Sequence, residues 1–366
     1  MSATSHSSTK KAASKIRVGV VRGGVSGEYP VSLKTGGAVI ANLSHSAYRV
    51  HDILITKNGK WHFDGIEKKP EDILKHVDVI FNALHGEFGE DGKIQQFLDA
   101  HGAKYTGSGA LASALAMNKV LTKKHAVGEK IKTAVYKVLR KEELLAEVAA
   151  AKVVDGVVDY AEHFGKAVAR RAVHLFKTFP HPAVVKPATS GSSLGVSIAH
   201  TLHELEAAIH EAFTHSDTIL LEEFISGKEA TCGVLDHFRG EKHYTLPPVE
   251  IRKGGSSSKS ALFDFNAKYG GENSGTEEIC PGNFTATERD EIQRIAREIH
   301  RTLGLKHYSR SDFIVHPRRG VYFLEVNTLP GLTEHSLLPK AIAAVGATFP
   351  ELLEHLIGLA LEGKGK

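Results

Sequence analysis

Cysteine is scarce in this chain, which has only two, Cys232 and Cys280, in 366 residues. Two cysteines are far too few for a disulfide framework in a chain of this length, and this indicates a reducing compartment, the cytoplasm. Long hydrophobic runs are lacking as well, since none approaches the ~20 residues that a helix needs to span a bilayer. The sequence therefore predicts a cytoplasmic protein without a membrane partner.

The chain also lacks an excess of charge of either sign. Its formal net charge is +4, and Lys10, Lys11 and Lys15 lie in the acid-free residues 1–15. The rest of the chain is close to neutral, so the sequence shows no footprint of nucleic-acid binding. Residues 1–15 are rich in Ser, Thr and Ala without an apolar run, which predicts a disordered tail and not a secretory signal.

The length and composition predict two or three domains. Of the 366 residues, 42% are apolar and 24% are charged, which is ordinary for a globular chain with sizeable cores. Strand-like runs at Ile16–Val21, Val50–Ile55 and Val77–Asn82 alternate with helix-like or polar segments, the pattern of a parallel α/β sheet. The helical and basic sequence that follows Asn118 marks a second domain.

Three later segments have the apolar spacing of helices that pack on a core. The segment Thr201–His215 begins with a capping box formed by Thr201 and Glu204. The other two are Arg289–Leu303, with Gly304 as its stop, and Glu351–Leu361. Core packing is a sufficient explanation for all three.

Two strand-like segments joined by a short turn carry residues that suggest a metal site. Glu325 and Asn327 are two positions apart, so both side chains leave the strand by the same face. Asp312 lies on the preceding strand, two positions after Arg310. Oxygen ligands without thiolate or imidazole suit Mg²⁺ or Mn²⁺ beside a nucleotide phosphate.

The register of this hairpin decides whether the groups meet. If His316 pairs with Val321 across the turn, then Asp312 lies opposite Glu325, and the arginine lies opposite the asparagine. Four polar groups would then share one face. The alternative is a solvated sheet face with ordinary alternating polarity.

Two further segments suggest a nucleotide. Lys186 ends a strand beside a turn rich in Gly and Ser, residues 188–195, whose small residues would let N–H and hydroxyl donors close over phosphates. The Walker P-loop pattern is absent, and a plain surface hairpin is the alternative. An apolar strand ends in Glu222 and Glu223 and is followed by Glu229. Adenine could lie against the end of this strand, and ribose hydroxyls could bind Glu229. The commoner explanation for such acidic residues is that they are solvated.

Other patterns are less informative. The glycines of residues 23–27 follow the first strand and suit either an anion or a tight turn. Residues 107–112 match a dinucleotide fingerprint in letters but do not follow the first strand of a βαβ unit, so no such site is predicted. The 22 histidines form no His-Glu-x-x-His pattern, and no Cys-x-x-Cys pattern occurs, so no zinc site is predicted.

Taken together, seven motifs in order resemble the D-alanine:D-alanine ligases, which are ATP-grasp enzymes, from about Ile16 to Leu361. The motifs are Gly23-Gly24-x-Ser26-x-Glu28, His85-Gly86-x-x-Gly89-Glu90-Asp91-Gly92, Lys186-Pro187, Gly191-Ser192-Ser193-x-Gly195, Lys268-Tyr269, Arg310-x-Asp312 and Glu325-x-Asn327-Thr328-x-Pro330-Gly331. The resemblance implies an α/β fold, with an N-terminal parallel α/β substrate domain at 16–118 and ATP-grasp subdomains at 119–229 and 230–366 that hold ATP between them.

The resemblance also implies a reaction and a role for each matching residue. ATP phosphorylates one D-alanine, and a second D-alanine attacks the acyl phosphate to give D-alanyl-D-alanine for peptidoglycan. The implied ATP-binding residues are Lys119, Lys186, Ser193, Glu222, Glu223, Phe224, Ile225 and Glu229. The implied ligands of two Mg²⁺ or Mn²⁺ ions are Asp312, Glu325 and Asn327. The implied catalytic residues are Glu28, Ser192, Tyr269, Arg310 and Gly331, and the implied substrate-binding residues are His85, Lys268, Ser336 and Leu337.

In the family's arrangement, Glu28, Ser192 and Tyr269 would form a latch over the substrates, and residues 253–282 would form a mobile ω-loop lid. The resemblance further implies D-alanine and ATP as partners and a homodimer. Two departures from the family pattern stand out. The stretch between Leu139 and Val185 is longer than in most relatives, and Pro30 replaces a residue that is acidic or polar in many of them.

Three alternatives remain. The enzyme could join D-alanine to D-serine, or to D-lactate, although the Lys268-Tyr269 pair speaks against D-lactate because that branch of the family lacks it. A non-catalytic ATP-grasp protein should have lost a metal ligand or the oxyanion arginine, and the sequence keeps both. If the chain were a purely structural α/β protein, every one of these motifs would have to be an ordinary turn, surface hairpin or solvated strand face.

Overall fold

The computed structural model of the chain describes residues 15–149, 160–189, 191, 194–253, 276–334 and 336–362. Five predicted features lie outside these residues. They are the tail before residue 15, Ser192, Ser193, the Lys268-Tyr269 pair and most of the lid.

The N-terminal sheet has the parallel centre that the sequence predicts. Its strands, in the spatial order β4-β3-β2-β1-β5, are β1 (Ile16–Gly23), β2 (Tyr48–Ile55), β3 (Trp61–Phe63), β4 (Ile66–Glu67) and β5 (Val79–Asn82). The first strand runs parallel to both β2 and β5. The antiparallel edge formed by β3 and β4 was not predicted.

Helices follow the strands and bring functional residues to the carboxyl end of this sheet. They are α1 (Tyr29–Asn42), α2 (Pro70–Leu74), α3 (Lys93–Ala100), α4 (Ala110–Met117) and α5 (Lys119–Gly128). Glu28 is the N-cap residue of α1, and Pro30 lies in its first turn, where proline suits a helix. The side chain of Asn118 accepts hydrogen bonds from two N–H groups of α5, which sets Lys119 as its first residue.

The central part of the chain has its own antiparallel sheet and its own core. Its elements are β6 (Tyr136–Arg140), α6 (Lys141–Ala149), α7 (Tyr160–Thr178), β7 (Ala183–Pro187), β8 (Ser197–Ala199), α8 (Leu202–His215) and β9 (Thr218–Glu223). The sheet order is β6-β9-β7-β8. The capping box of Thr201 and Glu204 is present, as predicted. Leu205, Ile209 and Phe213 of α8 are buried against this sheet.

The C-terminal part is built on a third sheet. Its elements are β10 (Lys228–Asp236), a 3₁₀ turn (Phe238–Gly240), β11 (His243–Thr245), β12 (Val249–Lys253), β13 (Thr276–Ile279), α9 (Ala286–Thr302), β14 (Tyr308–His316), β15 (Gly320–Asn327), α10 (Leu337–Ala344) and α11 (Phe349–Glu362). The sheet order is β13-β12-β10-β14-β15, with β11 paired to β10. Helices α9 and α11 confirm the two predicted core helices, each with slightly different ends.

The hairpin of β14 and β15 has the predicted pairing of Asp312 with Glu325 but not the predicted register at the turn. His316 pairs with Gly320 and not with Val321, so the assumed register at the turn is wrong. A bulge next to Phe313 then shifts the register, and Asp312 lies opposite Glu325 as predicted. Val321 and Phe323 near the turn belong to the apolar core. Without the shift, their side chains would face away from that core.

The N-terminal sheet and the C-terminal part share one core. Val18 and Phe81 of the first sheet belong to the same buried cluster as Leu338 of α10 and Leu352 of α11. None of the described helices is by itself long and apolar enough to cross a membrane. Helices α10 and α11 reach the necessary length only together, and they are bent by 104° relative to each other.

Candidate active site

The predicted site residues line two neighbouring cavities, one between the central and C-terminal sheets and one between the N-terminal and C-terminal parts of the chain. The larger has a volume of about 610 Å³, and the smaller about 90 Å³. Both are lined by Lys119, Arg310, Glu325 and Leu337. These four residues therefore form the junction at which two bound molecules would meet.

One predicted metal ligand at the junction is paired with a lysine. Lys119 Nζ lies 2.9 Å from Glu325 Oε2. Burial lowers the pKa of Lys119, but the Glu325 carboxylate more than offsets this, so the pKa of the lysine is raised. The lysine is therefore fully charged at neutral pH.

A second ion pair lies beside it on β14. Arg310 donates from Nε to Asp312 Oδ1 at 2.8 Å and from Nη2 to Oδ2 at 3.0 Å. Because Asp312 and Glu325 are cross-strand partners, their carboxylates lie on one face, with Asn327 one step further along. Asn327 Oδ1 accepts a hydrogen bond from Leu329 N at 2.8 Å, which fixes the orientation of the amide.

The oxygen ligands of this face fit a hard divalent cation. Two carboxylates and one amide oxygen lie on paired strands, and each carboxylate is already beside a positive charge. Mg²⁺ and Mn²⁺ favour such ligands and complete their coordination with water and phosphate oxygens. The residues present therefore fit the metal that the sequence analysis expects.

The predicted phosphate lysine, Lys186, belongs to a buried cluster of three charges. Its Nζ lies 2.8 Å from Glu222 Oε1, and Lys123 Nζ lies 3.3 Å from the same oxygen. Burial would raise the pKa of Glu222, but the two lysines lower it, so the carboxylate is ionised. Glu222 thus orients the lysine, a role that the prediction of an adenine contact did not include.

Lys123 is a residue of this cluster that the sequence motifs did not predict. Its side chain is fully buried, and burial lowers its pKa to about 8 because Glu222 only partly offsets the loss of solvation. Lys123 Nζ also donates to Thr133 Oγ1 at 2.5 Å. Its position four residues after Lys119, on the same face of α5, was a signal that could have revealed it.

The predicted adenine segment lines the large cavity. Glu223, Phe224, Ile225 and Glu229 are all among its lining residues. The N–H groups of Glu223 and Phe224 donate to backbone carbonyls of neighbouring segments, at 3.0 Å each. A base at this strand end would therefore be read by carbonyl groups or by the backbone of Ile225.

The small cavity contains Glu28 between two glycines. A Cβ atom at Gly86 would lie 2.4 Å from Glu28 Oε2, and one at Gly191 would lie 2.8 Å from it. The carboxylate therefore packs directly against the backbone of two different loops. Gly191 immediately precedes Ser192, the predicted latch partner of Glu28, which lies outside the described residues.

His85 is held in place beside this carboxylate. Its Nε2 lies 2.9 Å from Thr35 Oγ1, and its Nδ1 lies 3.5 Å from Glu90 Oε1. Glu90 also accepts a hydrogen bond from Gly86 N at 2.9 Å. Both His85 and Glu90 line the small cavity, and Glu90 was not among the predicted site residues.

The other end of the small cavity presents backbone donors. Ser336 is the N-cap residue of α10 and Leu337 its first residue, so free N–H groups of the first turn lie at the cavity wall. Ser336 Oγ accepts a hydrogen bond from Thr333 N at 3.0 Å, and a Cβ at Gly331 would lie 2.9 Å from that oxygen. This end suits a carboxylate or an oxyanion.

Glu278 is another lining residue that sequence analysis did not identify. It lies on β13, lines the small cavity and forms an ion pair with Lys340 of α10. Among the described residues, the structure brings together the predicted ATP, metal and substrate residues around two joined cavities. Ser192, Ser193, Lys268 and Tyr269 lie outside the described residues, so their placement stays a prediction.

Comparison with family models identifies two matching domains. The model described as D-ala D-ala ligase N-terminus matches residues 17–73 and 64–108. The model described as D-ala D-ala ligase C-terminus matches residues 157–358, more than half of the chain.

Individual relatives agree with these matches. The D-alanine–D-alanine ligase of Syntrophotalea carbinolica is 38% identical over 342 residues, which cover 93% of this chain and 95% of that protein. The crystal structure of the VanG D-Ala:D-Ser ligase from Enterococcus faecalis superposes with a TM-score of 0.74 at 27% identity, covering 95% of this chain and all of that one. The D-alanine–D-alanine ligase of Bacillus anthracis gives a TM-score of 0.70 at 30% identity, covering 95% and 98%.

Proposed function

The chain belongs to the D-alanine–D-alanine ligase family of ATP-grasp enzymes, and we propose that it joins two D-alanine molecules into D-alanyl-D-alanine at the expense of ATP. The product supplies peptidoglycan synthesis. The observation that carries the proposal is the junction of the two cavities. There, cations suited to phosphate and carboxylates suited to metal lie between a nucleotide-sized space and a small polar one.

In this proposal ATP occupies the large cavity. The adenine lies at the end of β9, and Glu229 binds the ribose. Lys119 and Lys186 bind the phosphates, because both are lysines that line this cavity beside a carboxylate. Ser193 would add a donor from the loop that follows β7.

Asp312, Glu325 and Asn327 would hold two Mg²⁺ or Mn²⁺ ions. When bound, the metal neutralises phosphate charge and orients the phosphate that is transferred. The three residues supply ligands from two paired strands, so their spacing is set by the sheet and does not depend on a loop.

The first D-alanine would bind in the small cavity with its ammonium on Glu28. Its carboxylate oxygen attacks the γ-phosphorus, the bond to the β-phosphate oxygen breaks, and the products are an acyl phosphate and ADP. His85 borders this subsite. Ser192 and Tyr269 would complete the latch with Glu28.

The second D-alanine would bind with its carboxylate at Ser336 and Leu337, where the N–H of Leu337 in the first turn of α10 is a donor. Its neutral amine attacks the acyl carbon, and the oxyanion that forms accepts hydrogen bonds from Arg310 and Gly331 N–H. Phosphate leaves when the tetrahedral intermediate collapses, and the amine proton is released. Lys268 would lie over this subsite.

The domain limits at 118 and 229, a homodimer, the absence of nucleic-acid partners and a cytoplasmic location remain part of the proposal. The resemblance supports the domain limits and the homodimer. The near-neutral charge of the chain beyond residue 15 supports the absence of nucleic-acid partners, and the small number of cysteines supports the cytoplasmic location. Light scattering of the purified chain tests the dimer directly, since a monomer at assay concentration would contradict it.

A coupled assay of phosphate release tests the reaction. We expect turnover with ATP, Mg²⁺ and D-alanine and none with L-alanine. Mass spectrometry should find D-alanyl-D-alanine and ADP in equal amounts. ATP hydrolysis without dipeptide would contradict the proposal.

D-serine is the second candidate for the acceptor, because the chain is similar to a D-Ala:D-Ser ligase in structure. The same assay with equal D-alanine and D-serine separates the candidates by product mass. We expect the D-alanyl-D-alanine product to dominate. A majority of D-alanyl-D-serine would assign the enzyme to the other specificity.

A further inference from the structure

Three potential metal ligands meet at a place that the ligation reaction does not use. Asp236 Oδ1 lies 2.8 Å from His243 Nδ1 and 3.0 Å from His300 Nε2. The ligand atoms of the three residues all lie within 4.8 Å of one another. Asp236 and His243 line a third cavity of about 860 Å³, separate from the two that form the candidate active site.

The cluster is assembled by the fold and not by a sequence motif. Asp236 ends β10, and His243 is its cross-strand partner at the start of β11. His300 lies near the end of α9, which packs against both strands. This explains why the search for sequence patterns predicted no zinc site.

The cluster has the burial and charge of a metal site. His300 is fully buried, and Asp236 is 8% exposed. Burial would raise the pKa of Asp236, but hydrogen bonds from His300, His243 and the His307 backbone hold it below its usual range. The Asp236 carboxylate is therefore ionised at neutral pH, and it contacts two imidazole rings.

The surrounding contacts fix the orientation of the ligands. His300 Nδ1 lies 2.8 Å from Ser309 Oγ, which is itself buried, so its Nε2 is directed at Asp236. The second carboxylate oxygen, Oδ2, accepts a hydrogen bond from His307 N at 2.6 Å. Metal-binding histidines typically have such a partner on the other ring nitrogen.

We propose that Asp236, His243 and His300 bind one divalent transition-metal ion, with Zn²⁺ as the best match. Two imidazoles and one carboxylate are a known ligand set for zinc, and the adjoining cavity leaves room for water as the fourth ligand. Zinc bonds of ~2.0–2.1 Å place tetrahedral ligands about 3.3 Å apart, so the Asp236 oxygen needs to move only a few tenths of an ångström away from each imidazole nitrogen.

We expect the ion to stabilise the fold. It would join β10, β11 and α9 at the point where the N-terminal part meets the C-terminal part. There, Gly107 N donates to His307 Nδ1 at 3.0 Å, and Lys306 N donates to Ser108 Oγ at 3.1 Å. Binding should therefore raise the melting temperature of the full chain.

The test uses the untagged full chain, stripped with a chelator and then dialysed against Zn²⁺ without nucleotide. We expect about one equivalent of tightly bound zinc, a higher melting temperature, and a tetrahedral absorption spectrum when Co²⁺ replaces Zn²⁺. His243→Gln, at a partly exposed position, should show no tightly bound zinc, no rise in melting temperature with Zn²⁺ and no tetrahedral Co²⁺ spectrum. His300→Gln should do the same if it folds.

The matched control is His51→Gln. His51 is also buried, and its Nδ1 lies 2.8 Å from Asp64 Oδ2, so this variant loses a histidine–aspartate bond outside the cluster. It should keep the zinc. Ser309→Ala should weaken binding ~10- to 100-fold, the usual effect of removing an outer partner.

Two results would overturn the proposal. One is a wild-type chain that retains no more zinc than His243→Gln. The other is zinc that persists in His243→Gln but disappears in Glu325→Gln, because the ion would then belong to the ATP site. Zinc that is kept in Glu325→Gln and lost in His243→Gln supports the proposal.

Discussion

Arg310 and Asp312 form a two-point ion pair, with Nε 2.8 Å from Oδ1 and Nη2 3.0 Å from Oδ2. Lys119 and Glu325 form a second pair beside it at 2.9 Å. In both pairs, a cation proposed to bind anionic substrate groups neutralises a carboxylate proposed to bind metal. When ATP binds with its metal, the two carboxylates would therefore pair with the metal and the two cations with substrate oxygens. No additional net charge would be buried.

Arg310→Lys should lower kcat and kcat/KM together and leave ATP affinity nearly unchanged, because a lysine cannot supply the planar donor fork. Loss of one oxyanion donor typically costs ~10²–10³ in kcat, and we expect the charged lysine to recover part of this loss. Steady-state rates, ATP binding and thermal stability on one preparation test this. Arg22→Lys, which disturbs a similar pair with Asp52 that lines neither cavity, is the control. A loss confined to ATP affinity would reassign Arg310 to the nucleotide.

Glu325→Gln should slow turnover and raise the Mg²⁺ concentration needed for half-maximal rate, because a shared anionic ligand becomes neutral. The fold should survive. Glu291→Gln is the control, since Glu291 is also paired with an arginine but lies on the surface of α9. Equal rates for the variant and the wild type at limiting Mg²⁺ would place the metal elsewhere.

Lys123→Met should raise the KM for ATP roughly fivefold, which corresponds to about 1 kcal/mol. The reason is that Glu222 would be left with Lys186 alone and would hold this lysine more strongly away from phosphate. The exposed neighbour provides the control variant Lys124→Met. If both variants keep the wild-type KM, Lys123 has only a packing role.

The pKa of Lys123, about 8, predicts a pH dependence. Its charged form is the unfavourable one in the folded protein, while in the unfolded chain it stays protonated up to its ordinary, higher pKa. Above pH 8 the unfolded chain therefore binds more protons, and the contribution of Lys123 to stability rises with pH. The free energy of unfolding of the wild type relative to Lys123→Met should increase between pH 8 and pH 10. A constant difference would contradict the lowered pKa.

Gly86→Ala should raise the KM for D-alanine far more than the KM for ATP. The new methyl group would lie 2.4 Å from Glu28 Oε2 and would displace the proposed ammonium ligand. Gly86 also has φ of +70°, which is unfavourable for alanine. Gly65→Ala isolates this second effect, because Gly65 has φ of +86° and no atom within 4 Å of the added methyl group. Equal losses in the two variants would mean that strain and not Glu28 is responsible.

Local patterns were enough to predict much of the fold and one face of the site. The alternation of strands and turns predicted the parallel centre of the first sheet, and the capping box at Thr201 set the start of its helix. The pairing of Asp312 with Glu325 was also correct, although the register assumed at the turn was wrong, because the bulge next to Phe313 compensates for that difference.

Contacts between distant parts of the chain could not be predicted in this way. The cluster of Lys123, Glu222 and Lys186 joins a helix to two strands that lie 63 and 99 residues further along the chain, and no local sequence period predicts these contacts. The same holds for Asp236 and His300, which are 64 residues apart. These groups became recognisable only from burial and distance.

The bulge in the β14–β15 hairpin inverts the phase of side chains along β15. Val321 and Phe323 face the core, but the next core residue is Val326, three positions later and not two. If the strand kept all its residues but had no bulge, its side chains would alternate regularly after Phe323, so that Glu325 and Asn327 would point into the apolar core and Val326 would face the cavity. One strand can therefore serve a hydrophobic interior near the turn and a charged chamber at its end.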